Sequence, residues 1–160
     1  MKILLPLCLS LLLCACAWVT PYLDGTYNAA AFPPLDAPAD SVALVGRAAD
    51  DARGAAVLTL VDDIPIKVKP DGSGDGLWAK QVALAPGEHA LVTSWRRPGE
   101  YSPSSSLCQA EFLAGHQYLV NYEVAASGRE ARVWLSDAAD AGSTVNCAAR
   151  KPPPMPQWPF

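Results

Sequence analysis

From Ser41 to about Ala148 the chain is cut into short apolar runs by glycine and proline, and no run carries a sustained helical period with caps. That punctuation constrains the fold more than any other feature. Val42 to Val45, Ala55 to Val61, Leu77 to Leu84 and His89 to Trp95 are successive runs, followed by Cys108 to Leu113, Tyr118 to Val124 and Arg129 to Leu135. Ile64, Ile66 and Val68 alternate with Pro65, Lys67 and Lys69, the period-two pattern of a strand with one wet face. Pro65 has no N–H to give a ladder, so its strand belongs at a sheet edge or at a strand start. Between the runs stand Asp71 to Gly76, Pro86-Gly87-Glu88 and Ala114-Gly115-His116, where glycine supplies turn conformations. Seven or eight short strands with regular turns read as a sandwich or barrel, and an all-β antiparallel sandwich over residues 41–148 is the expected fold.

The start of the chain obeys a different rule. Lys2 is followed by an apolar stretch, Ile3 to Leu13, that is about half the roughly twenty residues a membrane-spanning helix needs. A charged start, a short apolar core and small residues at its end describe an export signal. The run Leu13-Cys14-Ala15-Cys16 then resembles the signal of bacterial lipoproteins: an aliphatic residue, a tolerant position, a small residue and a cysteine. The resemblance implies removal of residues 1–15 and lipid on Cys16. Ala17 lacks the aspartate that retains such proteins at the inner membrane, so the resemblance points to the outer membrane, with the domain facing the periplasm. Each buried acyl CH₂ contributes about 0.8 kcal/mol, so two or three chains on one cysteine make a lasting anchor. Ala15-Cys16-Ala17 is also an A-x-A site, and a cut before Trp18 is the alternative.

Either cut leaves Cys108 and Cys147 as a pair, which an oxidising periplasm would join. Two isolated cysteines without a neighbouring histidine cannot fill a tetrahedral metal site. The formal net charge of −4 offers no basic surface to nucleic acid. Residues 16–40 hold Pro21, Pro33, Pro34 and Pro38, which suits an extended tether, although Tyr22, Tyr27 and Phe32 are equally suited to docking on the domain.

Val82 to Val92, with its Pro86-Gly87 turn, and then Ala114-Gly115-His116-Gln117-Tyr118 and Trp134-Leu135-Ser136-Asp137, resemble PEGA-like and DUF2846-like β-sandwich domains. The resemblance covers residues 77 to 145 and implies a fold and an envelope setting, not an activity.

Residues that carry chemistry are few. His89 and His116 stand at turns, with Glu88 and Glu111 near only in sequence, and are expected to be exposed turn or strand-end residues. Gly72-Ser73-Gly74 lacks the spacing of a nucleophile elbow. Asp71, Ser73, Asp75 and Gly76 match the opening of a calcium loop, but Val82 stands where the closing bidentate glutamate belongs, so a hairpin turn is favoured. Asp50-Asp51 and Asp62-Asp63 read as solvated loop charge. In residues 149–160, the run Pro152 to Phe160 must be extended. It suits either a peptide for an envelope partner or a tail lying on its own domain, the latter being favoured. No catalytic residue, metal or cofactor is expected. The expectation is a lipid-anchored outer-membrane lipoprotein with a structural, assembly or binding role. The alternative is an envelope enzyme or calcium-dependent binder using the Asp71–Gly76 loop.

Overall fold

The computed structural model of the chain describes residues 25–48, 55–74, 77–96, 105–126, 131–140 and 142–150. The segment read above as a signal, Cys16, most of the loop before Leu107 and the tail from Lys151 lie outside them. The described strands are β1 (Thr26–Tyr27), β2 (Ala43–Arg47), β3 (Ala55–Val61), β4 (Ile64–Pro65), β5 (Lys67–Val68), β6 (Gln81–Leu84), β7 (Gly87–Arg96), β8 (Ser105–Phe112), β9 (Gln117–Val124), β10 (Ala131–Asp137), β11 (Thr144–Asn146) and β12 (Ala148–Arg150).

They form two five-stranded sheets and a small ribbon. The first sheet has the order β11-β10-β9-β2-β6, the second β12-β8-β7-β3-β4, and β1 pairs with β5. The fold is all-β and sandwich-like. One detail departs from a purely antiparallel reading: β2 runs parallel to β9. Parallel strands need a long crossover, and the bulk of the second sheet separates these two in sequence.

Alternation explains which side chains meet between the sheets. Ala43 and Val45 on β2, Tyr118 and Val120 on β9, and Val133 and Leu135 on β10 face Leu58, Leu91, Cys108 and Phe112 in one core cluster. Fully burying a side chain such as Leu or Phe contributes about 1.5–3 kcal/mol, so this cluster is the main reason the two layers close.

The strand expected from Ile64 to Lys69 is divided in two. Ile64–Pro65 pairs with β3 and Lys67–Val68 with β1. Pro65 does lie on the edge strand β4. Ile66 between them is fully buried and donates its N–H to the Thr59 carbonyl, beside a register shift in β3 between Leu58 and Leu60. That bulge turns the chain out of the second sheet and onto the ribbon. Gly74 is required here, because a Cβ would collide with the Pro65 ring and the Lys67 carbonyl.

The packed domain begins well before Ser41. Phe32 is buried and Tyr27 packs beside it, their ring centres 6.3 Å apart. The Tyr27 hydroxyl donates to the Pro33 carbonyl at 2.7 Å and accepts the Ala83 N–H at 3.2 Å. Asn28 donates to the carbonyls of Ile66 and Pro65. Of the two readings open for this stretch, residues 25–41 follow the docked one. At the other end β12 carries the described strands to Arg150.

Cys108 and Cys147 form a disulfide. Cys108 is on β8. Cys147 stands between β11 and β12, where the chain steps from the first sheet to the second. The bridge therefore pins that crossover.

Candidate functional site

Both histidines are held by aspartates, and neither aspartate was a foreseen partner. His89 Nδ1 lies 2.6 Å from Asp62 Oδ2, and its Nε2 lies 2.9 Å from the Ala85 carbonyl. The second carboxylate oxygen of Asp62 accepts the Ala90 N–H at 2.8 Å. One side chain thus joins the β3–β4 turn, strand β7 and the β6–β7 turn. Asp62 and Asp63 both have positive φ, 51° and 62°, as a two-residue hairpin turn of this type demands. Aspartate tolerates that region better than most residues, and the turn aims the Asp62 carboxylate back at β7.

His116 follows Gly115, whose φ of 81° makes the β8–β9 turn. Its Nδ1 lies 2.7 Å from Asp137 Oδ2, and Asp137 Oδ1 accepts the Ala139 N–H at 2.9 Å. Asp137 ends β10 and is buried. The histidines are thus half-buried and partnered, not the exposed turn residues expected.

A row of rings connects the two pairs. His89 lies 6.0 Å from Phe112, Phe112 meets Tyr118 edge-on at 4.9 Å, and Tyr118 stacks on His116 at 6.2 Å. The Tyr118 hydroxyl accepts the Leu113 N–H at 3.0 Å, bracing the turn between β8 and β9. Such aromatic pairs add about 0.5–1.5 kcal/mol beyond their buried area.

The electrostatics follow the bonds. Burial works to raise the Asp62 carboxyl, but the bonds from His89 and the Ala90 N–H outweigh it and hold the group below the usual carboxylate range. Asp137 behaves alike: burial opposes, while His116 and the Ala139 N–H bring it down.

A histidine oriented by a carboxylate is half of a general-base device. The other half is a proton donor facing the free ring nitrogen. Both nitrogens of His89 face acceptors, so its two bonds are made together only by a ring carrying both protons. Among the described residues no Ser, Thr, Tyr or Cys is hydrogen-bonded to either imidazole. The arrangement fastens turns.

Beside His89 is an open hollow of about 590 Å³ lined by Asp62, Glu88, Gln109 and Glu111. Glu88 and Glu111 are directly opposite on β7 and β8, a like-charge pair that disfavours the sheet. No group of three or more His, Cys, Asp or Glu among the described residues is arranged to hold a metal ion.

The Asp71 loop lies apart, after β5. Asp71 Oδ1 accepts both the N–H and the hydroxyl of Ser73, at 2.9 and 2.6 Å, and these bonds lower its carboxyl. One of its two carboxylate oxygens is thus engaged by the turn itself. Asp75 and Gly76, the rest of the calcium-loop match, lie outside the described residues, as do Asp50 and Asp51.

The partners that sequence reasoning missed are 27 and 21 residues from their histidines, so neighbourhood could not supply them. The one usable signal was the Asp62-Asp63 turn, because a two-residue hairpin must place its first side chain near the adjoining strand. No protein-family model, curated protein or solved structure matches this chain.

Proposed function

We propose that the chain is a lipid-anchored lipoprotein of the outer membrane, whose β-sandwich faces the periplasm and serves as a non-enzymatic binding or assembly module. The observation that carries this reading is Leu13-Cys14-Ala15-Cys16 at the end of a short apolar core. Two further facts support it. The Cys108–Cys147 disulfide suits an oxidising compartment. The histidines, the best candidates for catalysis, are engaged in fastening turns.

The test is palmitate labelling with membrane fractionation of the wild type and Cys16→Ala. The expected result is a labelled, membrane-bound wild type and an unlabelled, soluble variant. An unlabelled wild type whose first residue is Trp18 overturns the anchor and replaces it with simple secretion.

A further inference from the structure

Strand β8 borders the second sheet and is covered over only half its length. Strand β12 pairs with Ser105, Ser106 and Leu107, and on the N-terminal side of Cys147 the chain belongs to the first sheet as β11. Beyond Cys108, no described strand lies on the outer edge of β8. Alternation decides which backbone groups face that edge. Cys147 stands opposite Cys108 with their Cα atoms 4.3 Å apart, the close spacing of a pair without ladder bonds. In keeping with this, the Cys147 N–H goes to the Val133 carbonyl and not to β8. The N–H and C=O of Cys108 and Ala110 therefore turn toward β7, and those of Gln109 and Glu111 turn to the open edge. Leu113 comes next in the outward set and gives its N–H to the Tyr118 hydroxyl. The open stretch is thus bounded by the disulfide at one end and by Tyr118 at the other.

A cavity of about 180 Å³ lies beside this stretch, walled by Ala110, Leu113, Tyr118, Leu135 and Val145. The polar groups that share its lining are already engaged. Asp137 accepts from His116 and from the Ala139 N–H, and Ser136 Oγ accepts the Asn121 amide. A drug-sized ligand takes a pocket of about 300–1,000 Å³, so this cavity is too small for one and suits a single apolar side chain. Ala110 points inward with Cys108 and Phe112. A residue laid opposite Ala110 on an added strand points to the same side, and that side is the cavity.

Charge is the second, independent observation. Glu111 and Glu88 are exposed and directly opposite each other on β8 and β7. Among the described residues neither is ion-paired. Both border the open hollow beside His89, together with Asp62. Like charges placed opposite each other weaken a sheet, and a cation brought to Glu111 from the open edge relieves them.

We propose that the open edge of β8 receives an extended basic peptide of a partner protein as an added antiparallel strand. Main-chain bonds to Gln109 and Glu111 hold it, and alternate side chains give it specificity. Its central residue is apolar and enters the cavity opposite Ala110. The residues on either side are lysine or arginine, standing opposite Gln109 and Glu111 on the acidic outer side. A second copy pairing through the same edge brings two more glutamates to this surface and no cation. The chain's own tail carries Pro152, Pro153, Pro154, Pro156 and Pro159, which have no N–H to give a ladder. The proposal rests on the reading of a binding module and names its partner class, while the binding itself depends only on the folded domain.

The test is fluorescence anisotropy of a labelled, C-terminally amidated peptide, Ser-Val-Lys-Leu-Lys, titrated with the purified full chain, kept soluble as Cys16→Ala with its disulfide intact. Saturable binding is expected. Aspartate in place of the peptide's leucine should weaken it at least about tenfold, since a charge cannot enter the apolar cavity unpaired. Methylating either lysine N–H, which faces β8, should also weaken it at least about tenfold, whereas methylating the leucine N–H, which faces away, should leave it unchanged. Glu111→Lys, shown to be folded by thermal unfolding, should lose the lysine peptide at least about tenfold and gain its glutamate counterpart. No saturable binding, equal weakening by methylation at lysine and leucine, or unchanged binding by folded Glu111→Lys overturns the proposal. A dimer in sedimentation that competes with the peptide assigns the edge to a second copy, and binding seen only after removal of residues 151–160 assigns it to the tail. Either result overturns a partner peptide. None of these outcomes bears on palmitate labelling, so failure here and failure of the anchor are separately visible.

Discussion

The Cys108–Cys147 bridge and the two histidine–aspartate pairs both fasten the ends of the sandwich, with opposite chemistry. The bridge joins the two sheets where the chain crosses between them and is indifferent to acid. The pairs join turns to strands and depend on ionised carboxylates. One device responds to reductant and the other to protons. The difference teaches that this small domain has two separable routes to loosening, and each can be opened while the other stays shut.

The largest effect belongs to the covalent tie. Cys108 and Cys147 are 39 residues apart, and a bridge closing a loop of that order contributes about 4 kcal/mol in the chain-entropy view. Replacing both cysteines by alanine is expected to lower unfolding stability by about that amount in urea titration. Reducing the wild type should move its midpoint the same way, leaving the variant unaffected. A loss under about 1 kcal/mol would show that pairing of β12 with β8 holds the crossover unaided.

Next comes the more buried of the two acid-sensitive ties. The Asp137 side chain is 10% exposed, against 45% for Asp62. Asp137→Asn keeps the shape but removes the charge that His116 meets, and it is expected to cost about 1–3 kcal/mol near neutral pH. The sign with pH is fixed by the lowered carboxyl. Stability from such a group is fully present above the ordinary aspartate range and is lost as pH falls through the depressed folded value. The wild type should therefore weaken below about pH 4, and Asp137→Asn should show a shallower acid limb in denaturant midpoints. Parallel acid limbs would mean that Asp137 is not a source of the acid sensitivity.

These ties also mark where the sequence ceased to be readable. The strands could be read because period-two alternation and glycine turns are local, and the Pro65 edge position follows from one missing N–H. The cysteine pair could be read because two were left over. The histidine partners could not, since each contact spans more than twenty residues and depends on how the turns fold over the strand ends. The same limit hid the ribbon. Tyr27 and Phe32 looked equally suited to a tether and to a docked segment, and it is the burial of Phe32, the Tyr27 hydroxyl bonds and the β1–β5 pairing that distinguish them.

The smallest effect tests whether the two aspartates differ as their burial says. Asp62 is the more exposed, so solvent screens its attraction to His89, and an exposed pair of this kind contributes about 0.2–1 kcal/mol. Asp62→Asn retains an oxygen for the Ala90 N–H and loses the charge on His89, so a cost of no more than about 1 kcal/mol is expected. A double-mutant cycle with His89→Gln isolates the pair, and the matching cycle of Asp137→Asn with His116→Gln gives its counterpart. The coupling should be larger for the His116 pair, and added salt should reduce the His89 pair more. Couplings near zero in both cycles would show that the backbone bonds from Ala90 and Ala139, which both carboxylates share in kind, carry the stabilisation and that the imidazoles add little. The β3–β4 turn offers a reason to expect otherwise. With Asp62 and Asp63 both at positive φ, that turn is held in a conformation most residues disfavour, and His89 supplies its link to two other elements at once.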